Sequence, residues 1–392
     1  MNNNTETVVI PYREDIPKNR TLTIMVLISG DGKAGSDRLA FDISTGLRRR
    51  GHRVIWGCPS SCYLIDEARA NGLEIYILNF SGSRDMPPLP AFMRFCKEEK
   101  VDIINVHHSH GRHLMVKAKF LGLKTRVVFT RHCISGSIPF GGTFFYGLFG
   151  TTISVSEVVR RSHSWNGIMP GKNITVYGGV NVDHFETVAP EKIERCREKY
   201  AKKDTFTIGI VARLGLYKGF RTDKPTMKRH EVLCMALAGI KEDFNLLALG
   251  LHGKDSEYLK IIAEDNGLDP GKITFCGYQE DIAPFYKIMD LMVLPSPNEG
   301  LGLAVIEAMA AGVPCIGAGS GGILEIIHDG IDGLLFKPGE SEDLAGKIRM
   351  IMANKELRES FVINGRKKVR DVFTIEKTVL ETEKIFYNLT QA

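Results

Sequence analysis

The 392 residues are 43% hydrophobic and 25% charged, an ordinary globular balance with length enough for two domains. No apolar run approaches the ~18–20 residues of a membrane-spanning helix, and the first residues lack the apolar stretch of a secretory leader. Net charge is +5 but uneven: residues 1–180 hold 23 Lys+Arg against 14 Asp+Glu, a net +9, and the remainder carries 28 against 32, a net −4. A basic first half points to an anionic partner, such as a phosphorylated acceptor or an acidic membrane surface, with a merely solvated surface as the alternative. No nucleic-acid partner is expected. The eight cysteines are scattered, and Cys58 and Cys62 have no second pair to complete a zinc site, so free thiols in a reducing cytosol are expected.

Short apolar, β-branched runs alternate with helical patterns. Strands are expected at residues 22–29, 53–56, 74–78, 103–106, 126–130 and 152–155, then at 205–211, 245–249, 273–275, 291–294 and 314–316. The clearest helix is 37–50, with Leu39, Ile43 and Leu47 on one face and Gly51 placed to close it. Two such series imply an α/β fold of two doubly wound, parallel-sheet domains. The charged segment 191–204 is expected to separate them, and a last helix follows at 376–389.

Gly30-Asp31-Gly32-Lys33-Ala34-Gly35 follows a strand, precedes a helix and fits G-x-G-x-x-G, so a dehydrogenase is a competitor. A dinucleotide site needs an acid at the end of the second strand. That strand instead runs into Trp56-Gly57-Cys58-Pro59-Ser60, with no carboxylate before Asp66. No Gly-Lys-Ser/Thr follows, so the loop is not a P-loop either. Asn105-Val106-His107-His108-Ser109-His110 with His113 looks at first like a metal cluster, but strand alternation would split these side chains and no acid or cysteine stands near in sequence. By contrast, Thr130-Arg131-His132 ends a strand, at the edge where open α/β sheets bind ligands, which makes His132 a candidate. The aromatic, glycine-rich run 140–150 is expected to be ordinary core, with a bilayer or a lipid-linked acceptor as the alternative contact.

Glu299 and Glu307 lie eight residues apart around a glycine-rich turn that opens a helix, Pro297-Asn298-Glu299-Gly300-Leu301-Gly302-Leu303-Ala304-Val305-Ile306-Glu307. Carboxylates accept hydrogen bonds from sugar hydroxyls, and backbone N–H groups at a helix N-terminus, here Gly300, Leu301, Gly302 and Leu303, bind an anion. A phosphorylated sugar satisfies both. This run resembles the E-x7-E signature of the retaining, GT-B-fold glycosyltransferases of family four, the glycosyl transferases of group 1. Further stretches carry the resemblance. They are Ala34-Gly35-Ser36-Asp37-Arg38, where alanine replaces the family's first glycine, then Thr152-Ile153-Ser154-Val155-Ser156-Glu157, Phe275-Cys276-Gly277-Tyr278-Gln279-Glu280-Asp281 and Gly321-Gly322-Ile323-Leu324-Glu325. In Tyr177-Gly178-Gly179-Val180-Asn181-Val182-Asp183, the family's usual Asn-Gly-Val-Asp has glycine for the asparagine and asparagine for the aspartate.

The resemblance implies two Rossmann-like domains facing across a cleft. Residues 1–185, rejoined by 376–392, would bind the acceptor, and residues 186–375 the nucleotide sugar. Glu299 would hold the transferred sugar, Glu307 the ribose, and Tyr278 would lie near the base. His132 would stand by the donor sugar, and the Gly32–Gly35 loop would meet sugar and acceptor. The leaving diphosphate needs neutralising charge. The chain has no Asp-x-Asp for a metal, so Arg213 and a lysine would serve. Lys218-Gly219 has the usual spacing, whereas Lys228 looks like the family's helix start after an enlarged loop. No metal and no cofactor are expected beyond a nucleotide diphosphate sugar as co-substrate. The acceptor class implied is a glycan or lipid-linked glycan of the cell envelope. The location implied is cytoplasmic, at the inner face of the membrane, with peripheral contact through the basic first domain. An epimerase or phosphorylase on the same fold, and a non-catalytic nucleotide-sugar binder, are the alternatives.

Overall fold

The computed structural model describes residues 20–79, 89–134, 143–164, 168, 170–215, 226–251 and 253–391. The chain divides into two compact units, Met1–Gly179 with Ile375–Ala392, and Val180–Thr374.

The first unit is built on a seven-stranded parallel sheet: β1 (Thr23–Leu27), β2 (Arg53–Cys58), β3 (Glu74–Ile77), β4 (Ile103–Val106), β5 (Arg126–Arg131), β6 (Thr151–Ser154) and β7 (Asn173–Thr175), in the order β3-β2-β1-β4-β5-β6-β7. The central strands are mostly apolar because helices cover both faces, so every side chain of β4, its Asn105 included, and nearly every one of β1 is buried. The strand order reverses between β1 and β4, which opens a crevice at their carboxyl ends. The helix Gly35–Arg49 lays Leu39, Ile43 and Leu47 on the sheet, and its Phe41 meets Trp56 of β2 edge-on, ring centres 5.8 Å apart. Asp37 in its first turn and Arg48 and Arg49 in its last suit the helix dipole, and Gly51 turns the chain out of it at φ +97°.

The C-terminal helix Ile375–Gln391 belongs to this unit and packs on Gly35–Arg49. Glu383 fixes it there. Its carboxylate accepts from Arg50 Nε and Nη2 at 2.8 and 2.7 Å and from His52 Nε2 at 2.9 Å. His52 Nδ1 accepts from the Leu22 N–H at 3.2 Å, which places the ring proton on Nε2, facing Glu383. Burial alone would push the Glu383 carboxyl up, but Arg50 and His52 hold it below the usual range.

The second unit carries a six-stranded parallel sheet: β8 (Phe206–Val211), β9 (Phe244–Leu249), β10 (Ile273–Gly277), β11 (Leu291–Leu294), β12 (Cys315–Ala318) and β13 (Leu334–Phe336), ordered β10-β9-β8-β11-β12-β13. Its switch point lies between β8 and β11. The core beneath joins Ile208, Ile210, Leu246, Leu291 and Val293 from the strands to Leu233, Leu237 and Ile348 from the helices.

Three expectations change. The units divide between Gly179 and Val180 rather than at 185/186, because Val182–Glu186 is a helix packed on Leu303–Ala311 within the second unit. The charged segment 191–204 is no linker but largely the helix Pro190–Tyr200 of that unit. β7 and β13 were not anticipated. Among the described residues no helix is long and apolar enough to cross a membrane.

Candidate active site

In the second unit, both central strands deliver their loops to the carboxyl edge at the switch point. β8 runs into Arg213, which is exposed and makes no ion pair among the described residues. β11 runs into Glu299, and the helix Leu303–Ala311 follows. That helix begins at Gly302, whose φ of +104° suits glycine, and among the described residues no side chain caps its first N–H groups. Two contacts buttress the loop before it. The Gly322 N–H donates to the Glu299 carbonyl at 2.8 Å, and the Ser320 hydroxyl donates to the Pro297 carbonyl. A Cβ on Gly322 would stand 2.4 Å from the Gly300 carbonyl oxygen, so only glycine permits this approach.

Lys228 Nζ donates to Glu299 Oε1 at 2.6 Å, and the pair is mostly shielded, with 30% and 13% of the two side chains exposed. Lys228 stands just before the helix His230–Ala238, whose start is capped by the Thr226 hydroxyl accepting the His230 N–H at 2.9 Å. Glu307 lies in the second turn of the Leu303–Ala311 helix. The Tyr286 hydroxyl donates to its Oε2 at 2.9 Å. Tyr286 is fully buried, and burial followed by the Glu307 charge pushes its pKa well above the ordinary range, so it remains a donor. Tyr278 follows the end of β10, two strands out from the switch point. Lys218 falls outside the described residues.

In the first unit the glycine loop folds around Asp37. Its Oδ2 accepts the N–H groups of Gly32 and Ala34 at 3.1 and 3.2 Å, and its Oδ1 pairs with His108 Nε2 at 3.0 Å. Burial pushes this carboxyl up, but His108 and the two N–H groups outweigh it and hold it below its ordinary value. Gly32 adopts φ +86°, and Gly35 is the first residue of the helix. Ala34, where the family has glycine, sits at φ −87° and ψ 152°, a conformation open to any residue, so that departure costs no strain. The carboxylate occupies N–H groups that a dinucleotide pyrophosphate would need. Asp66, the first acid after β2, pairs with Arg69 at 3.1 Å on an exposed helix. Both observations argue against the dehydrogenase reading.

Alternation sends His107 and His108 to different partners, as expected, but His132 of the next strand lies against both rings, and an acid, Asp37, stands beside His108. His107 and His132 stack with ring centres 5.1 Å apart, and Nδ1 of the first lies 2.9 Å from Nε2 of the second. The Thr130 hydroxyl donates to Asn105 Oδ1 at 2.7 Å, which turns the Asn105 amide N–H toward His107 Nε2 at 3.0 Å. His107 Nε2 therefore accepts, its proton sits on Nδ1 facing His132, and neutral His132 carries its own proton on Nδ1. Burial and then the neighbouring His108 push the His132 pKa down to about 3, so at neutral pH it is a hydrogen-bond donor and no cation. Among the described residues no His, Cys, Asp or Glu cluster has the makeup of a metal site.

The chain matches the family "Glycosyl transferases group 1" over residues 192–368 and "Glycosyltransferase Family 4" over residues 34–184. The chain belongs to the group 1 glycosyltransferases. It is 25% identical over 385 residues to the N-acetyl-alpha-D-glucosaminyl L-malate synthase of Bacillus anthracis, covering 94% of this chain and 96% of that one. It is 26% identical over 242 residues to the capsular polysaccharide biosynthesis glycosyltransferase CapM of Staphylococcus aureus, covering 60% of each. Its fold matches that of Anabaena Alr3699/HepE, solved in complex with UDP and glucose, with a TM-score of 0.80 at 19% identity over 93% of this chain and 99% of that one. The glycosyltransferase has the GT-B architecture of two parallel-sheet α/β units.

Within the second unit of the glycosyltransferase, the expected donor residues Glu299, Gly300–Leu303 and Glu307 stand on one loop and helix, and Lys228 joins them through Glu299. Within the first unit, His132 and the Gly32–Gly35 loop meet through His108, which touches Asp37, Ser36 and His132. Sequence reasoning missed Tyr286, Asn105 and His107 as supports. None carries a local sign of that role, and only the folded structure shows what it holds.

Proposed function

We propose that this glycosyltransferase moves a sugar from a nucleotide diphosphate sugar to an acceptor hydroxyl, with retention at the anomeric carbon and without a metal ion. The observation that carries the reading is the second unit's edge, where the Glu299–Lys228 pair and Glu307 flank a helix N-terminus that no side chain among the described residues caps. The diphosphate would lie on the N–H groups of that helix and meet Arg213 and Lys228. Glu299 would then accept from sugar hydroxyls, and Glu307, held by Tyr286, from the ribose. His132 would donate its Nδ1–H to the transferred sugar. The anomeric carbon–phosphate oxygen bond breaks as the acceptor oxygen bonds the same face. The acceptor proton passes to the departing phosphate oxygen, so no protein nucleophile is needed.

The UDP and glucose in the structure of HepE support a nucleotide-sugar donor, and the capsular role in the name of CapM supports a glycan or lipid-linked acceptor. Peripheral membrane contact is supported by Phe120, Leu121 and Leu148, exposed at 63%, 64% and 49%, near Lys117 and Lys119 at the end of the helix Ser109–Phe120. Part of the aromatic run is thus surface, although its Tyr146 is buried. A thermal-shift screen of UDP, GDP, ADP and dTDP tests the donor: one should raise Tm by mass action. Glu299→Ala should then abolish transfer while the fold survives. Transfer abolished by a chelator and restored by manganese would overturn the metal-free mechanism. Conversion of the donor without an acceptor would indicate an epimerase instead.

A further inference from the structure

Among the described residues, two partly buried arginines of the first unit lack the counter-charge that this unit's other partly buried arginines, Arg53 and Arg160, have. Arg131 is the last residue of β5, and Arg112 lies in the first turn of the helix Ser109–Phe120 that follows β4. β4 and β5 are paired neighbours, so both residues stand at the carboxyl edge of the sheet, beside His132. Their guanidinium carbons lie 5.6 and 5.8 Å from the centre of the same ring, that of buried Tyr146. Arg131 Nε donates to His163 Nε2 at 3.0 Å. Among the described residues, Arg131 Nη1 and Arg112 Nε are buried without a hydrogen-bond partner, and neither arginine pairs with a carboxylate. By contrast Arg50 meets Glu383, Arg53 meets Glu74 and Glu99, and Arg160 meets Glu157.

We propose that Arg112 and Arg131 form an oxyanion-binding site in the first unit, taking a carboxylate or phosphate group of the acceptor. That the anion belongs to the acceptor rests on the transferase reading above; that the site binds an oxyanion does not. Guanidinium stays protonated at working pH, so a desolvated pair cannot relieve its mutual repulsion by losing a proton. Burial, and then the Arg112 charge, pushes Arg131 down to about 9, and burial lowers Arg112 as well. Buried charge and orphaned N–H groups are costly unless paired, and an oxyanion supplies both the charge and the acceptor atoms. The planar forks suit a carboxylate or phosphate edge. The position beside His132 would bring an acceptor so held to the edge of the sheet where the expected sugar-binding residues of this unit stand.

The test is a thermal-shift titration of the full chain with sodium phosphate and with sodium succinate, each against sodium chloride at matched ionic strength. The wild type should show a saturable rise in Tm with at least one of the two anions, and the better one identifies the oxyanion class. In Arg131→Met and Arg112→Met the apparent affinity should fall about tenfold or more, the cost of a lost charged hydrogen bond. Without anion, neither variant should melt lower than the wild type, because an apolar side chain replaces an unpaired buried charge. A purely structural role for Arg131, as support for His163, predicts a clear fall instead. The proposal is overturned if neither anion exceeds chloride in the wild type, or if both variants keep the wild-type response. The same samples titrated with nucleoside diphosphates report on the donor reading, which can fail while the anion response stands.

Discussion

Replacing Gly322 with alanine should damage the donor loop from outside the site. Gly322 has φ −67° and ψ −15°, which any residue adopts, so the whole effect is contact rather than backbone preference. The added Cβ would stand 2.4 Å from the Gly300 oxygen, 2.6 Å from the Leu301 Cα and 2.8 Å from the Gly300 carbonyl carbon. All three are backbone atoms and cannot rotate away. Restoring ordinary contact needs a displacement of about 1 Å, which strains the 2.8 Å bond from the Gly322 N–H to the Glu299 carbonyl. Overpacking of this kind costs ~1–3 kcal/mol of stability, and a misplacement of ~1 Å in a positioning loop costs ~10²-fold in rate. The matched control is Gly346→Ala, in the helix Ser341–Ala353, where a Cβ meets nothing within 4 Å. That change should add ~0.5–1 kcal/mol by helix propensity and leave transfer unchanged. Both are read by kcat and KM for sugar transfer and by urea midpoints. If Gly322→Ala keeps kcat/KM within about twofold of the wild type, the fit of this loop against residues 320–322 does not position the donor, and the reasoning fails.

Three other changes separate support from chemistry. Tyr286→Phe removes the hydroxyl that donates to Glu307; it should cost ~1 kcal/mol of stability and raise the donor KM more than it lowers kcat, since Glu307 is assigned to the nucleotide. Glu383→Gln breaks the carboxylate's contacts with Arg50 and His52 and should cost ~2 kcal/mol at pH 7, discounted from the fully buried case because Arg50 is 43% exposed. The folded carboxyl lies below its usual pKa, so its contribution is present above the unfolded value of ~4.3 and lost as pH falls through the folded one; the gap from wild type in urea midpoint should close on acidification. Asp42 is the opposite case. Burial raises its pKa to about 6 against the pull of Arg38, so its ionised form destabilises the fold above pH 6. Asp42→Asn should therefore gain ~1–2 kcal/mol at pH 8 and nothing below pH ~4, measured by the same midpoints.

Much of the architecture is readable in the chain because parallel strands covered on both faces must be apolar runs. β4 and β11 fall where the pattern places them, and β2 reads two residues short because Gly57 interrupts its run. β7 and β13 are three residues each, too short for any periodicity to show. The spacing of Glu299 and Glu307 carries its own geometry, since one lies before a helix start and the other inside it. The partners of those glutamates carry no such local sign. Lys228 lies 71 residues from Glu299, and Tyr286 lies 21 from Glu307. The histidine contacts are illegible for a related reason. Alternation does separate His107 from His108, sending one to Asn105 and the other to Asp37. It says nothing of His132, which arrives from the next strand only once β4 and β5 pair in register.

The two units use one device in opposite ways. Each sends a central strand through a glycine-containing loop into a helix, and each such loop offers N–H groups to an anion. In the first unit the chain supplies that anion itself, because Asp37 takes the N–H groups of Gly32 and Ala34. A bound phosphate there would have to displace a buried carboxylate and would face its charge. In the second unit no acidic residue lies in the first turn of Leu303–Ala311, and among the described residues no side chain caps it. Lys228 stands before it, tied to Glu299 by a single contact from one charged end. On the proposed function, a dianionic leaving group would find a favourable partner in the second unit and a repulsive one at the glycine loop of the first. The fingerprint-like loop near the N-terminus is then a scaffold that holds His108 against His132. On the proposed function, the less conspicuous loop in the second unit is the one that would take a phosphate.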